Sequence, residues 1–327
     1  WMVLGLVPGE EEPDTIYAAD LGTETIWHSE ADGDACCPAG LGCWTDRNTD
    51  LGNFAEDEGD LGIADIAVLD SETVYVVAFN GDMVKTTTSG RHWSSQEDTK
   101  VDDDTGEMAH HMVAWGDWVL VGGDMGTVSY SDDGGDSFSV LDDIGAGQVH
   151  VAFDSYFDDN GYVYGAVSCG DNGVYRTTID AADWSSMDAC PDLDYWGIVV
   201  GDPDGNPKTS ASTGGVLYAT YNGNVNCDIS SGVARILDPA GEDCCGERTW
   251  DYLWDSLGTN VDFANQVNNI AICGDATGSA TTIWAIDMDG YYDGWDTQCL
   301  DEFDDSNDGR LWKYNDVFSK SGPELIG

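Results

Sequence analysis

Basic residues are scarce in this 327-residue chain: 11 Lys and Arg stand against 63 Asp and Glu, a formal net charge of −52. A field of that sign repels nucleic acid and anionic lipid, so neither is an expected partner, and cations are drawn to it instead. Proline is thin as well, at eight residues. No run approaches the roughly 20 apolar residues that cross a bilayer, so membrane insertion is not expected. The opening stretch 1–7 is shorter than a signal peptide and no Met begins the chain, which fits a mature product whose export signal has been removed. No Asn-x-Ser/Thr acceptor occurs, which argues against N-linked sugar and leaves O-linked sugar open. Apolar residues at helical spacing never persist beyond about three turns, which disfavours an α/β architecture.

What is present argues for a folded, turn-rich chain: 41% apolar residues, 41 Gly, 13 Trp and 14 Tyr are too many for an acidic disordered tail. The charge therefore belongs to surfaces and loops. Such an acidic excess suits salt-rich medium, where screening shortens to about 3 Å at 1 M. Charge count alone does not separate salt adaptation from binding of particular divalent cations.

The ten cysteines are Cys36, Cys37, Cys43, Cys169, Cys190, Cys227, Cys244, Cys245, Cys273 and Cys299. No matched pair of CxxC motifs offers a zinc site, so disulfides and an oxidising compartment are the favoured reading. Sequence does not fix the pairing; neighbours such as Cys169 with Cys190 are natural candidates.

Six short β-branched and aromatic runs align: 15–19, 73–77, 118–122, 162–166, 216–220 and 282–286. Each precedes a Gly- or Asp-bearing turn and a second short strand, such as Val84-Lys85 or Val174-Tyr175, and further runs flank many of these hairpins. Four short antiparallel strands per unit make a propeller blade. Successive central residues Tyr17, Tyr75, Leu120, Tyr164, Tyr218 and Trp284 are about 58, 45, 44, 54 and 66 apart, near the period of roughly 40 to 50 expected of blades. The expectation is all-β: one β-propeller domain over 1–327, with units 1–58, 59–105, 106–146, 147–192, 193–264 and 265–327. Six blades are counted; the stretch 2–7 leaves open a seventh, since it could open unit one or close the last blade.

At the end of the second hairpin strand of unit three stands Ser131-Asp-Asp133-Gly-Gly135-Asp-Ser137-Phe138, the pattern S-x-D-x-G-x-[ST]-[WF]. Unit two keeps Thr86, Gly90 and Trp93 in register, with Thr88 for the Asp and His92 for the Ser. Unit one keeps Ser29 and Gly33, with Cys36 at the aromatic position, and unit four keeps Thr177 and Trp184. Units five and six keep only position. A turn of this kind needs a carboxylate that accepts backbone N–H bonds, a Gly free to take positive φ and an aromatic to pack on the blade, so its expected role is structural. The repeat resembles the BNR/Asp-box propellers, which include sialidases, xyloglucan-type glycosidases, sortilin-like receptors and photosystem assembly factors. The resemblance covers nearly the whole chain as a blade pattern.

What the resemblance implies for catalysis is weak. Sialidase-like members use an arginine triad with a Tyr/Glu pair; here the arginines are Arg47, Arg91, Arg176, Arg235, Arg248 and Arg310, no Arg-Ile-Pro-type motif precedes the repeats, and the field repels sialic acid. Two carboxylates about 5 to 9.5 Å apart can hydrolyse neutral glycans, but with 63 candidates that spacing selects nothing. Trp44, Tyr195, Trp196, Tyr291, Tyr292 and Trp295 could stack on sugar rings, or pack against insertions or a neighbouring subunit. His110 and His111 are expected to face opposite ways on a strand, with His28, His92 and His150 scattered, so no triad or His metal site is expected. No glycine-rich loop opens a helix, and no organic cofactor is expected.

Calcium is the favoured metal. Asp202, Asp204 and Asn206 alternate around a Gly; Asp287 and Asp289 are followed by Asp293 and Asp296; Asp304 and Asp308 flank another such turn. Hard oxygen ligands at alternate positions suit Ca²⁺, and solvated loops of an acidic chain give the same pattern. The overall expectation is a non-catalytic extracellular or cell-surface module, cation-stabilised, self-assembling into a surface layer or filament or binding other surface proteins. The alternative is a carbohydrate-binding or carbohydrate-hydrolysing propeller.

Overall fold

A computed structural model of the chain describes residues 2–6, 15–20, 25–29, 44–47, 62–101, 107–181, 183–190, 193–201, 215–222, 232–241, 250–253, 266–273, 281–288 and 310–316. They form six antiparallel sheets, five of four strands and the last of three. Blade one holds β1 (Met2–Leu6), β2 (Ile16–Asp20), β3 (Thr25–Ser29) and β4 (Trp44–Asp46). Blade two holds β5 (Ile63–Val68), β6 (Val74–Ala78), β7 (Asp82–Thr86) and β8 (Glu97–Asp98). Blade three holds β9 (Ala109–Trp115), β10 (Trp118–Gly123), β11 (Val128–Ser131) and β12 (Ser139–Val140). Blade four holds β13 (Gln148–Phe153), β14 (Tyr162–Ser168), β15 (Gly173–Thr178) and β16 (Ser185–Ser186). Blade five holds β17 (Asp194–Gly201), β18 (Val216–Asn222), β19 (Gly232–Leu237) and β20 (Asp251–Tyr252). Blade six holds β21 (Gln266–Cys273), β22 (Thr281–Met288) and β23 (Arg310–Asp316). One helical turn, Phe157–Asn160, interrupts blade four.

The fold is a six-bladed β-propeller. The stretch left open by the sequence is settled: β1 pairs with β2 and so opens blade one. Two compact units divide the chain, Trp1–Leu141 with blades one to three and Asp142–Gly327 with blades four to six.

The second strands of blades two and five are buried along their length because both faces are covered. In the first unit, Val74, Val76 and Ala78 of β6 pack with Tyr17, Ala19 and Ile26 of blade one, while Tyr75 and Val77 pack with Met112, Val119 and Val121 of blade three. The second unit repeats this: Leu217, Ala219 and Tyr221 of β18 face blade four, and Val216 and Tyr218 face Ile270, Ile283 and Ala285 of blade six. Alternating side chains of one strand thus serve two seams, which requires an uninterrupted apolar run.

Candidate functional site

The turns at one end of the blades carry the most organised polar geometry. Register places Ser29, Thr86, Ser131 and Thr177 at one equivalent position, opposite Ile16, Val74, Val119 and Val163. In blade three the buried Ser131 hydroxyl accepts the Gly135 N–H at 2.8 Å and donates to Asp133 Oδ1 at 2.7 Å. Asp133 Oδ1 also accepts the N–H groups of Asp136 and Ser137, at 3.0 and 2.9 Å, and Oδ2 accepts the Ser137 hydroxyl at 2.6 Å. These donors, the Ser137 hydroxyl foremost, hold the Asp133 carboxyl down at about 2. Gly134 and Gly135 take φ of +74° and +88°, and Phe138 is buried.

Blade two builds the same turn from other atoms. Thr86 Oγ1 accepts the Gly90 N–H at 3.0 Å, and Thr88 Oγ1 accepts the His92 N–H at 3.0 Å. Ser89 and Gly90 take φ of +55° and +73°. Blade four departs: the Thr177 hydroxyl bonds the Thr178 carbonyl instead. In blade five the equivalent position, opposite Leu217, is Ile236, which has no hydroxyl to clip a turn. Ser29 is buried, and Gly33 lies outside the described residues.

In blades two, four and five a tryptophan acts as a strap. Trp93 Nε1–H donates at 2.8 Å to the carbonyl of Arg47, just after β4 of the preceding blade. Trp250 Nε1–H donates at 2.9 Å to the carbonyl of Met187, just after β16 of the preceding blade. Trp184 Nε1–H donates to the Asp142 carbonyl at 2.6 Å. Sequence reasoning missed Trp250; the available signal was a large aromatic immediately before a two-residue outer strand, as with Phe138 and Trp184.

One inner-strand position carries Asp65, His111, His150 and Asn269 in four blades, opposite Val77, Gly122, Ala166 and Ile286. The buried Asp65 carboxylate accepts Ile66 N–H at 2.8 Å and Met112 N–H of blade three at 2.7 Å. Burial raises its pKa, against the pull of His111 and these bonds. His111 is pushed down by burial more than Asp65 raises it, and burial likewise lowers His110. The expectation that the two histidines strictly alternate is corrected: the register shift opposite Gly122 and Gly123 leaves His110 as an extra residue.

The other described carboxylates that the fold fixes are similarly committed. Asp154 accepts bonds from Tyr164, Asn160 and Tyr156, Asp171 from Ala146, and Asp194 from Cys169. Arg176 is spent on the carbonyls of Pro239 and Gly241, and Arg235 on Asp251. Tyr195 is wholly buried at the seam of blades four and five, and burial pushes its phenol up, so it is core and not a platform for sugar. Trp196 on β17 is partly buried and Trp44 opens β4; Tyr291, Tyr292 and Trp295 lie outside the described residues.

Cys169 and Cys190 are disulfide-bonded. Cys36, Cys37, Cys43, Cys227, Cys244, Cys245 and Cys299 lie outside the described residues, as does the side chain of Cys273. The same holds for the calcium candidates Asp202, Asp204, Asn206, Asp289, Asp293, Asp296, Asp304 and Asp308, and for the side chain of Asp287 on β22. Among the described residues no cluster of three His, Cys, Asp or Glu side chains forms a metal site, and no helix is long and apolar enough to cross a membrane.

No family model matches the chain, and no curated protein matches it. Solved structures do. YCF48 bound to a D1 peptide superposes with a TM-score of 0.52 at 14% identity, over 87% of this chain and 75% of that one. The GH74 xyloglucanase from Xanthomonas campestris gives 0.58 at 15%, over 98% of this chain but 45% of the enzyme, so this chain spans less than half of it. The Cps50 (Swd1) propeller domain from Myceliophteria thermophila gives 0.51 at 10%, over 86% and 78%. This is a β-propeller by structure as by repeat. Likeness at such identities extends to the fold alone.

Proposed function

We propose that the chain is a non-catalytic binding and assembly module of the BNR/Asp-box type, extracellular or at a cell surface, with calcium or other cations neutralising its acidic faces. The observation carrying this reading is that the carboxylates fixed by the fold serve the fold: Asp65, Asp133 and Asp154 are each occupied by two or more donors from neighbouring backbone or side chains. A general acid and a nucleophile need carboxylates turned towards substrate instead. A peptide bound to YCF48 supports interaction as a use of this architecture. The net charge of −52 means that copies approach one another only if cations bridge or screen them. Disulfide-bonded Cys169 and Cys190 suit an oxidising compartment.

The test is particle size and thermal midpoint of the purified chain in calcium, magnesium or chelator at matched ionic strength. The expected result is a calcium-specific rise in midpoint with larger assemblies. An unchanged monomer in all three overturns assembly.

A further inference from the structure

The seam between blades one and two opens at its turn end into a cavity of about 440 Å³, within the size range of small-molecule sites. Its walls are polar. Glu72 and Arg91 stand on it with Thr15, Ser71, Thr87 and Ser89, and His28 forms part of the wall.

The site is built rather than incidental. The Tyr17 hydroxyl donates to the Ser71 carbonyl at 2.9 Å and the Ser89 hydroxyl to the same carbonyl at 3.0 Å. Asp70 Oδ1 accepts the N–H groups of Glu72 and Thr73, and Ser89 N–H bonds the Glu72 carbonyl. His28 is buried, its ring 4.7 Å from that of Tyr17. Arg47 Nη2 lies 2.9 Å from His28 Nδ1; a guanidinium only donates, so Nδ1 accepts and the ring's hydrogen is on Nε2.

The lining also differs from its counterpart in blade three. Asp132, Asp133 and Asp136 there correspond to Thr87, Thr88 and Arg91 here, so carboxylates give way to hydroxyls and a guanidinium. A carboxylate only accepts, guanidinium only donates, and hydroxyls do both. An anion would leave Glu72 opposed and a cation would leave Arg91 opposed; a ligand that donates and accepts around its whole rim satisfies all of them. We propose that this cavity is a subsite for a neutral saccharide unit, standing independently of the assembly reading.

The experiment is saturation-transfer NMR and calorimetric titration with cellobiose, maltose and lactose, beside glucuronate and glucosamine as charged analogues. The expected result is binding of at least one neutral disaccharide, with or without calcium. Glu72→Gln and Arg91→Ala, both on exposed side chains, should each weaken it about tenfold or more. Thr87→Trp should block it while the thermal midpoint holds. Absence of disaccharide binding, binding indifferent to all three substitutions, or tighter binding of a charged analogue would overturn the proposal. Because monomers are titrated, failure here leaves the assembly result untouched, and the reverse.

Discussion

The turns of blades two and three reach one geometry by different chemistry. In blade three a carboxylate gathers four donors; in blade two the Thr88 hydroxyl accepts the His92 N–H, bonds weakly to the His92 carbonyl and lies 3.3 Å from the Thr86 hydroxyl. Both place two successive residues at positive φ, yet blade three uses Gly134 where blade two accepts Ser89. The backbone path is therefore set by the hairpin before it. Gly134 N–H bonds the Asp117 carbonyl, and Ser89 N–H bonds the Glu72 carbonyl, at equivalent inner turns. The side chains secure a path that the blade already dictates, which frees blade two to change its lining.

Substituting the second positive-φ residue should break both turns most severely. A Cβ on Gly135 would lie 2.6 Å from Met83 Cε, and one on Gly90 would lie 2.8 Å from Arg47 Cβ. Each Gly→Ala change should cost about 1–3 kcal/mol in denaturant unfolding. Gly90→Ala should cost the more, because a thioether end moves aside more easily than the base of a side chain.

Removing the central acceptor should separate the two turns. Asp133→Ala strands several donors at the surface and should cost about 1–2 kcal/mol, whereas Thr88→Ala should cost roughly half as much. Equal costs would mean that the hairpin alone holds the turn.

Acid sharpens the contrast. The Asp133 pKa of about 2 lies below the roughly 3.9 of an unfolded Asp. Its stabilisation is therefore complete above about pH 4 and lost as pH falls from 4 towards 2. Solvent exposure keeps it below about 1 kcal/mol. Stability against pH should flatten in that window for Asp133→Ala, while Thr88→Ala keeps the wild-type slope. The smallest effect belongs to Ser89→Gly: release of φ +55° outweighs loss of the Ser71 contact, raising stability by about 0.5 kcal/mol.

The blade pattern was legible because second strands such as β6 and β18 are buried on two faces and so carry apolar runs. The Ser131 turn was legible because its atoms are local, within eight residues. Trp250 escaped because an insertion moved it from the seven-residue spacing kept by Thr86 and Trp93, and its acceptor on Met187 lies 63 positions away. His110 escaped because a bulge is visible only in the pairing.

Composition and periodicity by themselves determined an acidic, all-β, repeat-built chain, since burial and charge act through residue type at short range. Tertiary structure alone decided that Asp65 is capped across a seam, that Tyr195 is core, and that an eroded turn, a buried histidine and an inner-turn glutamate meet around one cavity. Those outcomes depend on strands brought together from distant positions, and no local pattern encodes them.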